Sequence, residues 1–315
     1  MTASGGTPLA GARVLVTGAS GLIGSHVLRV LEPATDVVAV SRVARPATGG
    51  VRWLAGDISR PGAMSEIVTS VAPDVVLHLA GVVRGDRTLD TVGPTLRANL
   101  VATVELLEAA TRLGCRRIVL SGSLLEEPMA GGAETIPPSP YGASRWAASG
   151  YARMFHALFG TPVVILRPSF AYGPGQERTK LIPHVITALL EDESPHLSTG
   201  ERLLDCVYAG DVAQAYIDAA SVEGAEGRTM DIGCGALTSV RQIVQLIVEV
   251  VGPTAGQPLF GTVPVRPLEQ KVEVDTGEAE RVLGWRAATS LEDGLEATVA
   301  WYRERKAGRP RPVEL

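Results

Sequence analysis

Three glycines at fixed spacing, set between an apolar run and a helix-forming run, constrain this chain more than any other feature. The segment reads Val14-Leu15-Val16-Thr17-Gly18-Ala19-Ser20-Gly21-Leu22-Ile23-Gly24-Ser25. In such a strand–turn–helix the first glycine permits a tight turn, the second lets backbone approach a pyrophosphate, and the third lets the helix pack against the strand. The helix N-terminus then presents unpaired N–H groups and the positive end of its dipole. Gly18, Ser20, Gly21, Leu22, Ile23 and Gly24 are therefore expected to cradle a dinucleotide. A turn that is only well packed is the bland alternative, and the strand before and helix after favour the cradle.

The rest of the first half repeats the theme. Short β-branched runs at Arg13–Thr17, Asp36–Ser41, Val51–Ala55, Val75–Leu79, Arg117–Leu120 and Val163–Leu166 read as strands buried on both faces. Helical stretches at Ser20–Leu31, Thr95–Leu113 and Tyr141–Phe159 lie between them. Alternation of this kind predicts an α/β Rossmann fold, a doubly wound parallel sheet with right-handed crossovers. Beyond Arg167, Pro and Gly punctuate the chain, and Val240–Val251 carries apolar residues at helical spacing. This predicts a smaller, mostly helical C-terminal substrate lobe over the carboxyl ends of the strands. The expected division is 11–172 plus 204–234 for the dinucleotide domain and 173–203 plus 235–306 for the lobe.

Composition excludes some roles. A net charge of -5 argues against a general nucleic-acid binder, which needs a basic face. Cys115, Cys206 and Cys234 are odd in number and far apart, which suits reduced, buried thiols rather than a disulfide or zinc framework. No apolar run has the length of a membrane span, and the first residues lack the pattern of a signal peptide. A cytoplasmic protein with no membrane or nucleic-acid partner is expected, and the histidines show no metal-ligand spacing.

The end of the second strand bears on the choice of cofactor. An acidic residue there would bond a free ribose 2′-hydroxyl, whereas this strand ends Val40-Ser41-Arg42. A serine donor followed by a guanidinium suits phosphate oxygens, so NADP(H) is expected over NAD(H). A solvated loop cation is the alternative reading of Arg42.

Taken together, these residues resemble the extended short-chain dehydrogenase/reductase family, in its nucleotide-sugar-modifying branch. The likeness runs from about Arg13 to Trp301. The glycine motif Thr17 to Gly24, the pair Asp57-Ile58, the segment His78-Leu79-Ala80-Gly81, Asn99 to Thr103 with Ala102 in place of glycine, Arg167 to Pro174, and Asp275–Trp285 follow the family's order. The resemblance implies that Asp57 and Ile58 lie near the adenine, and that Leu79, Ala80, Gly81, Pro168 and Ser169 line the cofactor. It also implies a catalytic Ser/Thr followed by Tyr-x-x-x-Lys. Ser123 fits the first position, with Ser121 the weaker candidate, and Tyr141 fits the tyrosine; Asn99 joins the catalytic set. Ser139 and Pro140 suit the start of the helix that carries Tyr141. Residue 145 is Arg where the family has Lys. Arg145 keeps the charge and several donors, but its head is larger and planar and does not relay a proton by losing one.

The resemblance also frames the chemistry. Related 4,6-dehydratases carry an Asp-Glu pair straight after the Ser/Thr; here those positions are Leu124-Leu125, with Glu126 and Glu127 out of register. Dehydration is therefore not expected, and an NADPH-dependent reductase acting on a keto group of a nucleotide-activated deoxysugar is. A sugar-nucleotide epimerase with recycled cofactor is the alternative, and Arg145 leaves open a non-catalytic NADP-binding protein. Lys180, Leu181 and Arg266 resemble residues that grip a nucleoside diphosphate. The arginine expected before Asp205 is absent because Leu204 stands there; Arg202 is offered as a substitute, although a solvated surface charge is the simpler reading of it. By analogy the protein is a homodimer paired through Thr95–Leu113 and Tyr141–Phe159, with Leu106, Leu107 and Met154 supplying apolar contact.

Overall fold

The computed structural model describes residues 9–31, 35–47, 49–126, 136–265 and 274–308. Strands β1 (Arg13–Thr17), β2 (Asp36–Ser41), β3 (Val51–Ala55), β4 (Val75–His78), β5 (Arg117–Ser121) and β6 (Val163–Pro168) lie where the β-branched runs predict. Short strands follow: β7 (Phe170–Tyr172), β8 (Leu203–Leu204), β9 (Cys206–Tyr208), β10 (Thr229–Ile232) and β11 (Thr238–Ser239). Seven of these form one parallel sheet in the order β10-β6-β5-β4-β1-β2-β3. Two small ladders, β7 with β9 and β8 with β11, lie outside it.

The helices are α1 (Leu22–Leu31), α2 (Ala63–Val71), α3 (Leu89–Thr95), α4 (Ala102–Leu113), α5 (Pro140–Phe159), α6 (Leu181–Leu190), α7 (Ala209–Ser221), α8 (Val240–Val251), α9 (Gly277–Leu283) and α10 (Leu291–Lys306). Strand alternation sorts the core into two layers, one on each face of the sheet. Val14 and Val16 of β1 pack with Val27 and Leu28 of α1 and with Ala213 and Tyr216 of α7. Leu15, pointing the other way, packs with Met64, Leu106, Leu107, Ala152 and Phe155. A third cluster joins α6, α8 and α10 through Val185, Ile186, Ile243, Ile247, Leu295 and Val299. Ser239 caps α8 in a full capping box with Gln242.

Some sequence expectations are corrected. β10 was not foreseen, because Thr-Met-Asp-Ile is short and polar; in register, its Asp231 pairs with Arg167 of β6 at 2.6 Å. The helix expected to start at Thr95 starts at Leu89, and a single π-helical stretch, Leu96–Val101, joins α3 to α4. Leu106 and Leu107 are fully buried in the core, so neither reaches a partner subunit. All three cysteines are free, but Cys234 is exposed rather than buried. No helix among the described residues is long and apolar enough to cross a membrane.

Candidate active site

After β3 the chain returns to the far side of β1 to form β4, so a crevice opens at the carboxyl ends of β1 and β4, where such sheets bind ligands. Gly18 turns the chain there at φ 68°, and a Cβ on it would sit 2.6 Å from the Ala80 nitrogen. At Gly24 an added Cβ would lie 2.7 Å from Ala19 Cα and press on the Gly18 carbonyl oxygen. Only glycine fits either place, because the obstruction is backbone. Gly21 is exposed and its missing Cβ faces nothing closer than the Gly18 carbonyl at 3.2 Å. The first N–H groups of α1, around Leu22 and Ile23, thus lie beside a turn that carries no side chain at Gly18, Gly21 or Gly24, the donor arrangement a dinucleotide pyrophosphate requires.

Around this turn, buried polar groups lock the strands together. His78 Nδ1 meets Thr17 Oγ1 at 2.7 Å and its Nε2 meets Thr103 Oγ1 at 3.1 Å. Burial, aided by the charge of Arg145, lowers its pKa to about 3, so it stays neutral. At the end of β2, Ser41 is buried and its hydroxyl donates to the Val43 carbonyl, while Arg42 is exposed. Asp57 accepts bonds from the Ser59 N–H at 2.9 Å and the Ser59 hydroxyl at 2.7 Å, which hold its pKa below the usual carboxylate range, with Arg42 and Arg60 adding to the effect. Ile58 packs against the core, and Leu79, Ala80 and Gly81 run past Gly18.

The expected catalytic residues converge on the ends of β4 and β5. Ser139 caps α5, accepting from the Gly142 N–H at 3.1 Å, with Pro140 in the first turn as the sequence predicts. Tyr141 and Arg145 then fall one turn apart on the same face. The Arg145 guanidinium is buried; it donates to the Ser121 carbonyl at 2.6 Å and to the Ala80 carbonyl at 3.4 Å, and sits 5.7 Å from the centre of the Tyr141 ring. It clamps two strand ends while placing a desolvated positive charge beside the phenol. The π-helical stretch presents Asn99, whose Oδ1 accepts from the Val82 N–H at 2.7 Å and whose amide donates to the Val82 carbonyl and to Ser144 Oγ at 2.9 Å. With both amide hydrogens used, Asn99 fastens the loop after β4 to α5.

Ser123 is buried just beyond β5, and its Oγ accepts from the Leu125 N–H at 3.2 Å. Sequence reasoning set aside its neighbour Glu126, and the structure restores it. Glu126 Oε2 accepts the Ser123 N–H at 3.2 Å and the Ser149 hydroxyl at 3.0 Å. Desolvation pushes its pKa up to about 7 against the opposing pull of Arg167, Ser149, Ser123 and Arg145. No sequence signal marks Ser149 as its partner, 23 residues away. Glu127 lies outside the described residues.

Pro168 ends β6, and Ser169 Oγ donates to Asp205 at 2.8 Å; Asp205 also accepts the N–H groups of Cys234 and Gly235. Lys180, just before α6, donates to the Val83 carbonyl at 2.9 Å and so ties the helical layer to the loop after β4. Leu181 is half-buried at the start of α6. Arg202 is half-buried and stacks over Phe170 at 4.9 Å, which corrects its reading as a solvated surface charge. Arg266 lies outside the described residues. Among the described residues no group of His, Cys, Asp and Glu could hold a metal ion.

The fold and this crevice together define a nucleotide-dependent enzyme of the short-chain dehydrogenase/reductase type. The pattern of the NAD dependent epimerase/dehydratase family matches residues 14–233, and the chain belongs to that family, in its nucleotide-sugar-modifying branch. It is 32% identical to a dTDP-glucose 4,6-dehydratase of Streptomyces griseus, over 93% of this chain and 95% of that protein. It is 27% identical to a UDP-glucose 4-epimerase of Mycolicibacterium smegmatis, over 93% and 99%. Among solved structures, the UDP-glucose 4-epimerase of Thermotoga maritima with UDP-glucose superposes with a TM-score of 0.82 at 26% identity, covering 93% of this chain and 99% of that one. MoeE5, solved with UDP-glucuronic acid and NAD, superposes with a TM-score of 0.79 at 31% identity over the same shares.

Proposed function

We propose that this protein reduces a keto group on a nucleotide-activated sugar, with NADPH as the reductant. The observation that carries the reading is the end of β2, where Ser41 and exposed Arg42 stand in place of a carboxylate. A carboxylate there would repel a 2′-phosphate, whereas a guanidinium attracts one. NADPH used from solution points to net reduction rather than to a recycled cofactor. The named activities of the relatives, on dTDP-glucose and UDP-glucose, support a nucleoside-diphosphate sugar as substrate.

When bound, NADPH supplies a hydride to the carbonyl carbon. Tyr141 donates its phenolic proton to the carbonyl oxygen, and Ser123 holds that oxygen. Arg145, buried 5.7 Å from the Tyr141 ring, favours the negative charge left on the phenol, as a fixed charge in a dry site does. Elimination of water is disfavoured because Leu124 and Leu125 follow Ser123, and because Glu126 faces Ser149 and the Ser123 backbone. Lys180, Leu181, Arg202 and Arg266 are proposed to hold the nucleotide part of the substrate.

The test is NADPH oxidation with a panel of keto-sugar nucleotides. Tyr141→Phe is expected to lower kcat by about two orders of magnitude or more while leaving NADPH affinity unchanged. Wild-type turnover by this variant would sink the assignment. The epimerase reading is favoured by the superposition on the UDP-glucose 4-epimerase; it predicts firmly bound NAD in the purified protein and no net NADPH consumption.

The protein is also proposed to be a homodimer, paired through α3 to α5. With Leu106 and Leu107 buried, the apolar contact falls to Leu89, Val92 and Leu96 and to Trp146, Tyr151 and Leu158 of α5, all exposed.

A further inference from the structure

Gly81, in the loop after β4, is a glycine that its own backbone does not require. Gly18 needs the left-handed region, whereas Gly81 lies outside it, and the atoms nearest to where a Cβ would stand on Gly81 all belong to side chains. That Cβ would lie 2.3 Å from Arg145 Nη2, 3.1 Å from Arg145 Cζ and 2.7 Å from Asn99 Oδ1. Heavy atoms in contact sit about 3.5 Å apart, so the guanidinium occupies the space that a side chain at position 81 would fill. Nη2 is also the nitrogen that donates to the Ala80 carbonyl at 3.4 Å, while Nη1 donates to the Ser121 carbonyl at 2.6 Å. Both arms of the head are thus set, and one of them depends on the bare backbone of residue 81.

The loop is fastened where it would have to retreat. Asn99 accepts the Val82 N–H at 2.7 Å and donates to the Val82 carbonyl at 3.2 Å, and Lys180 donates to the Val83 carbonyl at 2.9 Å. Asn99 is itself held to Ser144 of α5 at 2.9 Å. Of the groups around this point the guanidinium hangs on the longest stem, so an added methyl displaces it rather than the loop. Lysine ends in a single ammonium with no second arm and makes no such demand on position 81.

We propose that Gly81 is a positioning residue for Tyr141: by carrying no side chain it admits the guanidinium, so that positions 81 and 145 form a matched pair and arginine sets its charge 5.7 Å from the Tyr141 ring. The inference rests on the role given to Tyr141 above. It adds to that reading the residue that makes room for Arg145, and it separates Gly81 from Gly18 and Gly24, whose obstruction is backbone.

The test is a double-variant cycle in the full chain: wild type, Gly81→Ala, Arg145→Lys and the two together, each also made with Tyr141→Phe. Ionisation of Tyr141 is read as the tyrosinate absorbance that disappears with Tyr141→Phe, which needs neither cofactor nor substrate. Tyr216 of α7, whose phenol burial pushes up, drops out in the subtraction. Moving a cation away from a phenol raises the pH at which it ionises, and Gly81→Ala opposite arginine should do so by about one pH unit. Opposite lysine the same substitution should shift it by less than about half as much, the contact with Asn99 Oδ1 being common to both backgrounds. NADPH turnover of keto-sugar nucleotides should follow, with kcat falling about tenfold opposite arginine and KM changing little. Urea midpoints repeat the cycle with Arg145→Met as a further unbranched background, and the loss caused by Gly81→Ala should again be at least about halved there. Folding of Gly81→Ala opposite lysine or methionine but not opposite arginine would support the pairing. A shift as large opposite lysine as opposite arginine, no shift in either, or an equal loss of folding in every background overturns it and leaves the reductase reading untouched. If the wild type reduces no keto-sugar nucleotide while Tyr141 responds as stated, the reductase reading falls and the pairing stands.

Discussion

At the scale of single residues, the most consequential group is Glu126, a carboxyl sealed beneath Ser123. Its pKa of about 7 in the fold exceeds the ordinary value of 4.5, so the folded protein holds this proton across a range where the unfolded chain releases it. Below that range the group costs nothing. As pH rises through it, folding stability falls, and above about 7 the loss from this one group reaches roughly 3 kcal/mol. Glutamine does not titrate. The stability of Glu126→Gln relative to wild type should therefore rise between pH 5 and pH 8, measured by urea unfolding at each pH. A difference independent of pH would refute the buried-acid account. Residues with purely local grammar were legible in advance: Gly18, Gly21 and Gly24 in their turn, Ser139 as a cap, and Tyr141 with Arg145 one turn on. Glu126 was not, because its meaning depends on Ser149 and on burial, neither of which spacing reveals. Arg145 was legible in position only; its grip on the Ser121 and Ala80 carbonyls needed the fold.

At the scale of elements, α5 brings Tyr141 and Arg145 to the site, and its start is fixed by one hydroxyl. Ser139 accepts the Gly142 N–H, so Ser139→Ala should cost about 1 kcal/mol, seen as a lower urea midpoint with an unchanged slope. An unchanged midpoint would show that Pro140 and packing suffice to begin the helix. Five of the six strands with readable β-branched runs are buried on both faces, which demands such residues, whereas β3, at the edge of the sheet, buries only Val51 fully and so corrects the expectation there. β10 escaped because its Asp231 answers Arg167 across the ladder, a pairing that single-strand patterns do not record. The start of α3 escaped because Gly93 and Pro94 look like a break, yet the helical path continues through the π-helical stretch that presents Asn99.

At the scale of the whole molecule, the exposed apolar side chains of α5 should be covered by a second copy. Trp146 and Leu158 are 42% and 69% exposed. Trp146→Glu with Leu158→Glu should convert a dimer to monomers in sedimentation, without loss of the folded far-ultraviolet spectrum. A wild-type monomer at micromolar concentration would overturn the pairing. The layered α/β plan was legible from the alternation of strands and helices. The arrangement that sets α10 and the loop before α6 beside the glycine turn was not, since it joins residues from opposite ends of the sequence.

The glycine turn has a further consequence for how this lineage can change. Its shape is enforced by backbone meeting backbone at Gly18 and Gly24, so an alteration there is paid in folding before any ligand arrives. The capacity to receive a dinucleotide is thus inherited with the fold itself. In the reading proposed above, preference between dinucleotides sits on side chains at the rim, where exposed Arg42 can be exchanged without moving a strand. Descent can therefore retune the reductant while the architecture stays constant.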